Sequence, residues 1–138
     1  MTSIRFAIAV SLLIAVACGG GGGGGGGTTP SAPPPPAGAL VVEIQDDRFV
    51  PKQLVIEPGT TVRWVLRGST TTHTTTEMAT TWDSGFVFLQ PGDFFEHTFT
   101  EADSGKTFEY SCVTHKACCL MQGSIRVGDD APLPTPGY

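Results

Sequence analysis

The chain has 138 residues, with 13 acidic and 8 basic side chains and a formal charge of −5. That balance, with no basic stripe, excludes nucleic acid as the expected partner and leaves a basic patch on a partner protein compatible. Setting aside the low-complexity stretches near the start leaves about 100 residues, enough for one hydrophobic core and not for two.

In chain order, the first segment carries one charge, Arg5, and then an apolar run from Phe6 to Ala17 broken only by Ser11. The run is too short to cross a bilayer as a helix, which takes about 20 apolar residues. Residues 1–17 read instead as a secretory signal peptide, with Ala15 and Ala17 ahead of the cleavage point. Ile14-Ala15-Val16-Ala17-Cys18 resembles a bacterial lipobox, which implies acylation of Cys18. An ordinary signal with an incidental cysteine is the alternative. Gly19–Gly27 is unbroken glycine, and Thr28–Gly38 holds the four prolines Pro33–Pro36. Glycine runs stay flexible and proline runs extend, and neither has side chains with which to build a core. Residues 18–38 therefore read as a lipidated linker and 39–128 as the domain. Residues 129–138, with Pro132, Pro134 and Pro136, read as a flexible tail. The expected location is the periplasmic or extracellular face of a bacterial membrane.

Within the domain no window sustains a helical repeat, and period-two alternation dominates. Leu40–Gln45 is the first strand. Leu54 and Ile56 alternate with Val55 and Glu57 before the turn pair Pro58-Gly59. Val62, Trp64 and Leu66 share one face, with Arg63 and Arg67 on the other. After Pro91-Gly92, the residues Phe95, His97 and Phe99 alternate with polar ones. Phe108, Tyr110 and Cys112 form a further strand, and Ile125 and Val127 close the pattern. Seven or eight short strands with turn signals roughly every 10 residues predict an all-β sandwich.

The chemistry lies in one corner. Cys112 ends a strand, His115 follows three residues on, and Met121 precedes the last strand. A thiolate, an imidazole and a thioether on one strand–loop–strand corner converge on a point, and His73, after the threonine run that begins at Thr70, can supply a second imidazole. Two histidines and a cysteine with a weak axial methionine form a blue-copper set. Soft sulfur favours Cu(I) while imidazole serves both oxidation states, so a rigid site between the two geometries changes little when an electron moves.

Cys112-x-x-His115 followed by Met121-x-Gly123 and a closing strand resembles the plastocyanin–azurin, or cupredoxin, family. Supporting residues are Phe49-x-Pro51-x-x-Leu54-x-Ile56-x-Pro58-Gly59-x-x-Val62-x-Trp64, then His73-Thr74-Thr75-Thr76, Asp83-Ser84-Gly85, Pro91-Gly92 and Phe99. The resemblance implies a Greek-key β-sandwich, a single type 1 copper held by His73, Cys112, His115 and Met121, and electron transfer without catalysis. It also implies docking of redox proteins on an apolar patch around His115, where Lys116, Ala117 and Leu120 flank the ligand loop. A monomer is expected. Family spacing lands the axial position on Leu120, with Met121 one residue late, so a three-coordinate copper with no axial ligand stands beside the Met121 reading. Thr74 is a candidate to tie the first histidine's loop to the ligand loop.

Cys118 and Cys119 admit several states. Adjacent Cα atoms lie about 3.8 Å apart, below the usual disulfide range, yet an oxidising compartment favours a bridge. Free thiols are the second possibility. A ligand role is the third, since His73, Cys112, His115 and Cys118 would make a Cys₂His₂ set suited to structural zinc. A copper chaperone or sensor that uses this cysteine pair, and a zinc-stabilised interaction module, are the rival functions. His97 reads as a strand residue, Met78 as a loop residue, and Trp64, Phe99 and Tyr110 as core.

Overall fold

Strand β1 (Leu40–Gln45) opens a computed structural model that describes residues 32–68 and 71–138. The signal segment, Cys18 and the glycine tract lie outside the described residues. β1 turns through Asp46-Asp47 into β2 (Arg48–Val50), and β3 (Gln53–Ile56) leads to the long β4 (Thr61–Gly68). The two-residue β5 (Thr76–Glu77) precedes β6 (Phe94–Thr98), β7 (Thr107–Ser111) and β8 (Gln122–Val127). One short helix, α1 (Lys116–Cys119), interrupts the connection from β7 to β8.

The strands form two four-stranded sheets, one in the order β2-β1-β4-β6 and the other β3-β8-β7-β5. Each sheet contains one parallel pair, β1 with β4 and β3 with β8, and is otherwise antiparallel. The all-β sandwich expected from alternation is therefore present with eight strands among the described residues. Parallel neighbours far apart in sequence leave no local turn signal, so this pairing is visible only in three dimensions.

Alternation sets the core. Val42 and Ile44 of β1 and Val62, Trp64 and Leu66 of β4 are fully buried, facing Phe108, Tyr110, Ile125 and Val127 of the other sheet. Trp82, from the β5–β6 connection, inserts between the sheets. Its ring lies 5.4 Å from Trp64, 5.6 Å from Phe99 and 5.9 Å from Tyr110.

The outer face of β4 departs from simple alternation, because Arg63 and Val65 are also buried. Prolines read as spacer lie over this sheet. The Arg63 guanidinium donates to the carbonyls of Pro33 and Pro34, pairs with Glu96 at 2.6 Å and sits over the Phe94 ring. A proline carbonyl flanked by residues that lack N–H groups is a free acceptor, and Arg63 uses two of them. The C-terminal stretch is likewise held against the other sheet. Lys52 Nζ donates to Gly137 O, Gln53 Nε2 to Tyr138 O and Arg126 Nε to Ala131 O, while Ala131 is buried.

The closing strand explains one sequence feature directly. Gly123 pairs across the ladder with Tyr110, whose ring covers it. A Cβ at position 123 would lie 2.5 Å from the Tyr110 ring and hydroxyl and 2.9 Å from the Lys52 carbonyl. Gly123→Ala is expected to destabilise the fold by roughly 3 kcal/mol, the upper part of the overpacking range. Denaturant titration checks this, and a loss below about 1 kcal/mol would mean that the ring moves aside freely.

Candidate metal centre

Four chain segments converge at one end of the sandwich. Cys112 lies just past β7, and its N–H donates to Met121 O at 3.1 Å, extending the β7–β8 ladder by one pair. His115 caps the start of α1, with Lys116 N and His115 N both directed at the Cys112 carbonyl. His73 arrives from the connection between β4 and β5, held by an isolated bridge to Phe88. The hairpin tip at Asp46-Asp47 completes the rim.

The side chains of His73, Cys112 and His115 meet. Cys112 Sγ lies 3.8 Å from His73 Nδ1 and 3.4 Å from His115 Nδ1, and the two nitrogens are 3.1 Å apart. A triangle with those sides has its centre about 2.0 Å from every corner, the length of a metal–imidazole bond and slightly short of a metal–thiolate one. The donor set of one thiol and two imidazoles fits a type 1 copper site. His73 and Cys112 are fully buried, and the His115 side chain is 16% exposed. The cluster thus meets solvent at His115 alone of the three.

Surrounding groups orient these donors. His73 Nε2 lies 3.3 Å from Thr71 Oγ1, which suits a proton on Nε2 and leaves the Nδ1 lone pair facing the cluster. Burial first, and then neighbouring His115, hold the His73 imidazole below its ordinary pKa. The neutral, ligating form is therefore the favoured one. The Thr74 N–H points at Cys112 Sγ at 3.4 Å, and Thr114 Oγ1 lies 3.1 Å from the same sulfur. Thr74 Oγ1 also accepts from the Val113 N–H at 3.0 Å. It ties the first histidine's loop to the ligand loop, as its position beside His73 suggested. Asp47 Oδ1 stands 3.8 Å from His115 Nε2, a group the sequence reading did not single out because the β1–β2 hairpin lies far away along the chain.

The extra residue in the ligand loop is absorbed locally. Lys116–Cys119 form one helical turn, and Leu120 ends it in the left-handed region at φ 52°. Leu120 is 71% exposed, whereas Met121 is 1% exposed and belongs to the core cluster. The residue one place late is the one on the inside. Cys118 does not join the donors: it is bridged to Cys119, and both residues are exposed. The Cys₂His₂ set is therefore not assembled.

His97 also lies apart from the cluster of donors. His97 packs between Trp82 and Phe99, with ring centroids at 5.0 and 4.8 Å. Burial pushes its imidazole below the ordinary 6.5, against a weaker upward pull from Asp103. Below that pH the unfolded chain binds a proton that the folded state resists, so stability falls as the pH drops through 6.5. Denaturant titrations of the metal-free protein between about pH 7 and pH 5 are expected to show this loss, and His97→Phe to reduce it. An unchanged slope in the variant would remove His97 as its source.

No protein-family model matches the chain, and no curated protein matches it in sequence. Solved structures do match. A mutant amicyanin in its reduced state aligns at 26% identity and a TM-score of 0.50, over 67% of this chain and 84% of that one. An oxidised amicyanin mutant aligns at 26% identity and a TM-score of 0.53, over 66% and 83%. A third mutant, in its Cu(I) form, aligns at 26% identity and a TM-score of 0.50 over the same shares. Fold and donor set together point to copper electron transfer and away from bond-making catalysis. The chain is a cupredoxin in fold, with a His–Cys–His cluster fit for type 1 copper where β7 hands over to β8.

Proposed function

We propose that this protein is a membrane-tethered, single-copper electron carrier that shuttles electrons between redox proteins outside the cytoplasm. The observation that carries the reading is the triangle of His73 Nδ1, Cys112 Sγ and His115 Nδ1, all within bonding reach of one centre. Bound there, copper supplies a one-electron couple between Cu(II) and Cu(I).

The chain's own residues do the remaining work. His73 and Cys112 are held by backbone and hydroxyl partners before any metal arrives, so little rearrangement accompanies a change of charge at the site. Met121, 1% exposed beside the loop that holds His115, would supply a fourth, weaker sulfur donor to a bound copper. His115 is the exposed edge through which electrons enter and leave. Val113 and Leu120 of the ligand loop are 52% and 71% exposed, and Met78 is drawn to that loop by a 3.3 Å contact with Lys116. An apolar rim of this kind suits the small, short-lived interfaces of redox partners. The tether rests on the signal-like segment 1–17, on Cys18 as the acylated residue and on the glycine tract, with a monomer as the working unit.

Visible absorption and EPR of the Cu(II)-loaded protein test the reading. An intense blue thiolate band with narrow parallel hyperfine splitting is expected. Met121→Leu should keep the band and raise the reduction potential, because the more highly charged Cu(II) would lose more from removal of one electron-donating ligand than Cu(I), whatever the general softness of sulfur. A colourless protein that prefers zinc would overturn the carrier reading, and an unchanged potential would remove Met121 from the ligand set.

A further inference from the structure

The ligand loop carries a feature that electron transfer does not use. Cys118 and Cys119 are joined by a disulfide within α1, and both are exposed. A bridge stabilises a fold mainly by shortening the unfolded chain's loops, and a bridge between neighbours encloses no intervening residue. It therefore adds almost nothing to global stability, which comes from the two-sheet core. What it constrains is local: the peptide between two residues that sit midway from His115 to Met121. The helix around it is one turn long and rests on few bonds, Cys119 N and Met121 N both reaching the His115 carbonyl at 3.1 and 3.4 Å. Cys118 Sγ lies 3.7 Å from that same carbonyl oxygen, so a thiol there would compete with those two N–H groups for one acceptor.

We propose that Cys118 and Cys119 form a thiol–disulfide exchange site, open to a dithiol reductant while the domain stays folded, whose state sets the conformation of the loop from His115 to Met121. A thiolate of the dithiol attacks one sulfur of the pair, and the other cysteine leaves as a thiolate. The reductant's second thiol then displaces the mixed disulfide. Two electrons and two protons pass to the pair, giving two Cys thiols, and the reductant ends as a disulfide. Exposed bridges of low structural value are the exchangeable kind. The partner class is thus a small or protein dithiol that reaches an exposed loop, and the site operates whether or not copper is present.

Metal-free full-length protein tests this separately from the copper reading. The air-oxidised chain is treated with dithiothreitol under native conditions, alkylated and digested with trypsin, which separates the Ala117–Arg126 peptide from the one containing Cys112. Two alkyl groups on that peptide are expected, with circular dichroism unchanged. The rate should fall within about tenfold of the rate in urea, because no global opening is needed. Suppression by a thousandfold or more would mean that the bridge is reached only through unfolding, and would overturn the proposal. So would free thiols at both positions before reduction. Amide hydrogen exchange from Lys116 to Met121 is expected to quicken on reduction, and to be insensitive to the reductant in Cys118→Ser/Cys119→Ser. Equal exchange in both redox states would refute the link to the loop.

Discussion

Replacing Cys112 with alanine is expected to abolish the intense visible absorption of the copper-loaded protein while leaving the sandwich folded. Cys112 is the free cysteine among the described residues, and its sulfur is the single soft donor in the cluster that His73 and His115 complete. Without it, two imidazole nitrogens 3.1 Å apart remain, along with a cavity the size of one sulfur atom. The imidazoles can still bind Cu(II), but with no thiolate there is no charge-transfer band. The fold loses little, on the order of 1 kcal/mol for so small a deletion at a buried position. Its backbone bonds to Met121, His115 and Lys116 stay in place. Absorption spectra and thermal unfolding of the metal-free variant check both halves. A blue Cys112→Ala protein would mean that another sulfur ligates, and a variant that fails to fold would mean that Cys112 is structural first.

Trp82→Ala carries the largest expected loss of stability, about 3–5 kcal/mol by the usual cost of deleting a buried aromatic side chain. Trp82 is 4% exposed and stands within aromatic contact of Trp64, His97, Phe99, Phe108 and Tyr110, drawn from both sheets. Its Nε1 donates to Thr75 Oγ1 at 3.2 Å, so truncation also orphans a buried hydroxyl two residues from His73. Since Thr75 belongs to the segment that delivers His73, the variant should bind copper less tightly as well as unfold earlier. Trp82→Phe is expected to recover most of the packing and none of the hydrogen bond. Urea titration with copper-binding isotherms separates the two contributions. A Trp82→Ala loss below about 1 kcal/mol would show that the sheets close on each other without it.

Much of this protein was legible from covalent order alone. The strands β1, β4, β6, β7 and β8 follow from period-two alternation, because a half-buried strand must present one apolar face. The convergence of Cys112 and His115 follows from a spacing too short to separate them, and the family resemblance, with His97 read as a strand residue, implies His73 as the second imidazole. Thr74 was in reach of the ligand loop for the same reason of adjacency.

Other features depended on contacts between distant segments. Trp82 sits in a polar stretch with no periodicity, so nothing local marks it as the centre of the aromatic cluster. Arg63 reads as a solvent-facing charge, yet the carbonyls of Pro33 and Pro34 cover it, because a proline run without donors offers acceptors to whatever sheet it lies against. The stretch after Gly128 reads as loose because of Pro132, Pro134 and Pro136, but Lys52 and side chains of β3, β7 and β8 hold its carbonyls. The choice between Leu120 and Met121 as the inward residue turned on one backbone angle, the left-handed conformation of Leu120 that ends a single helical turn. Sequence determines which side chains could serve the site. Tertiary structure decides which of them face inward, because burial depends on the other sheet, strap and hairpin that close over a residue, and these are encoded elsewhere in the chain.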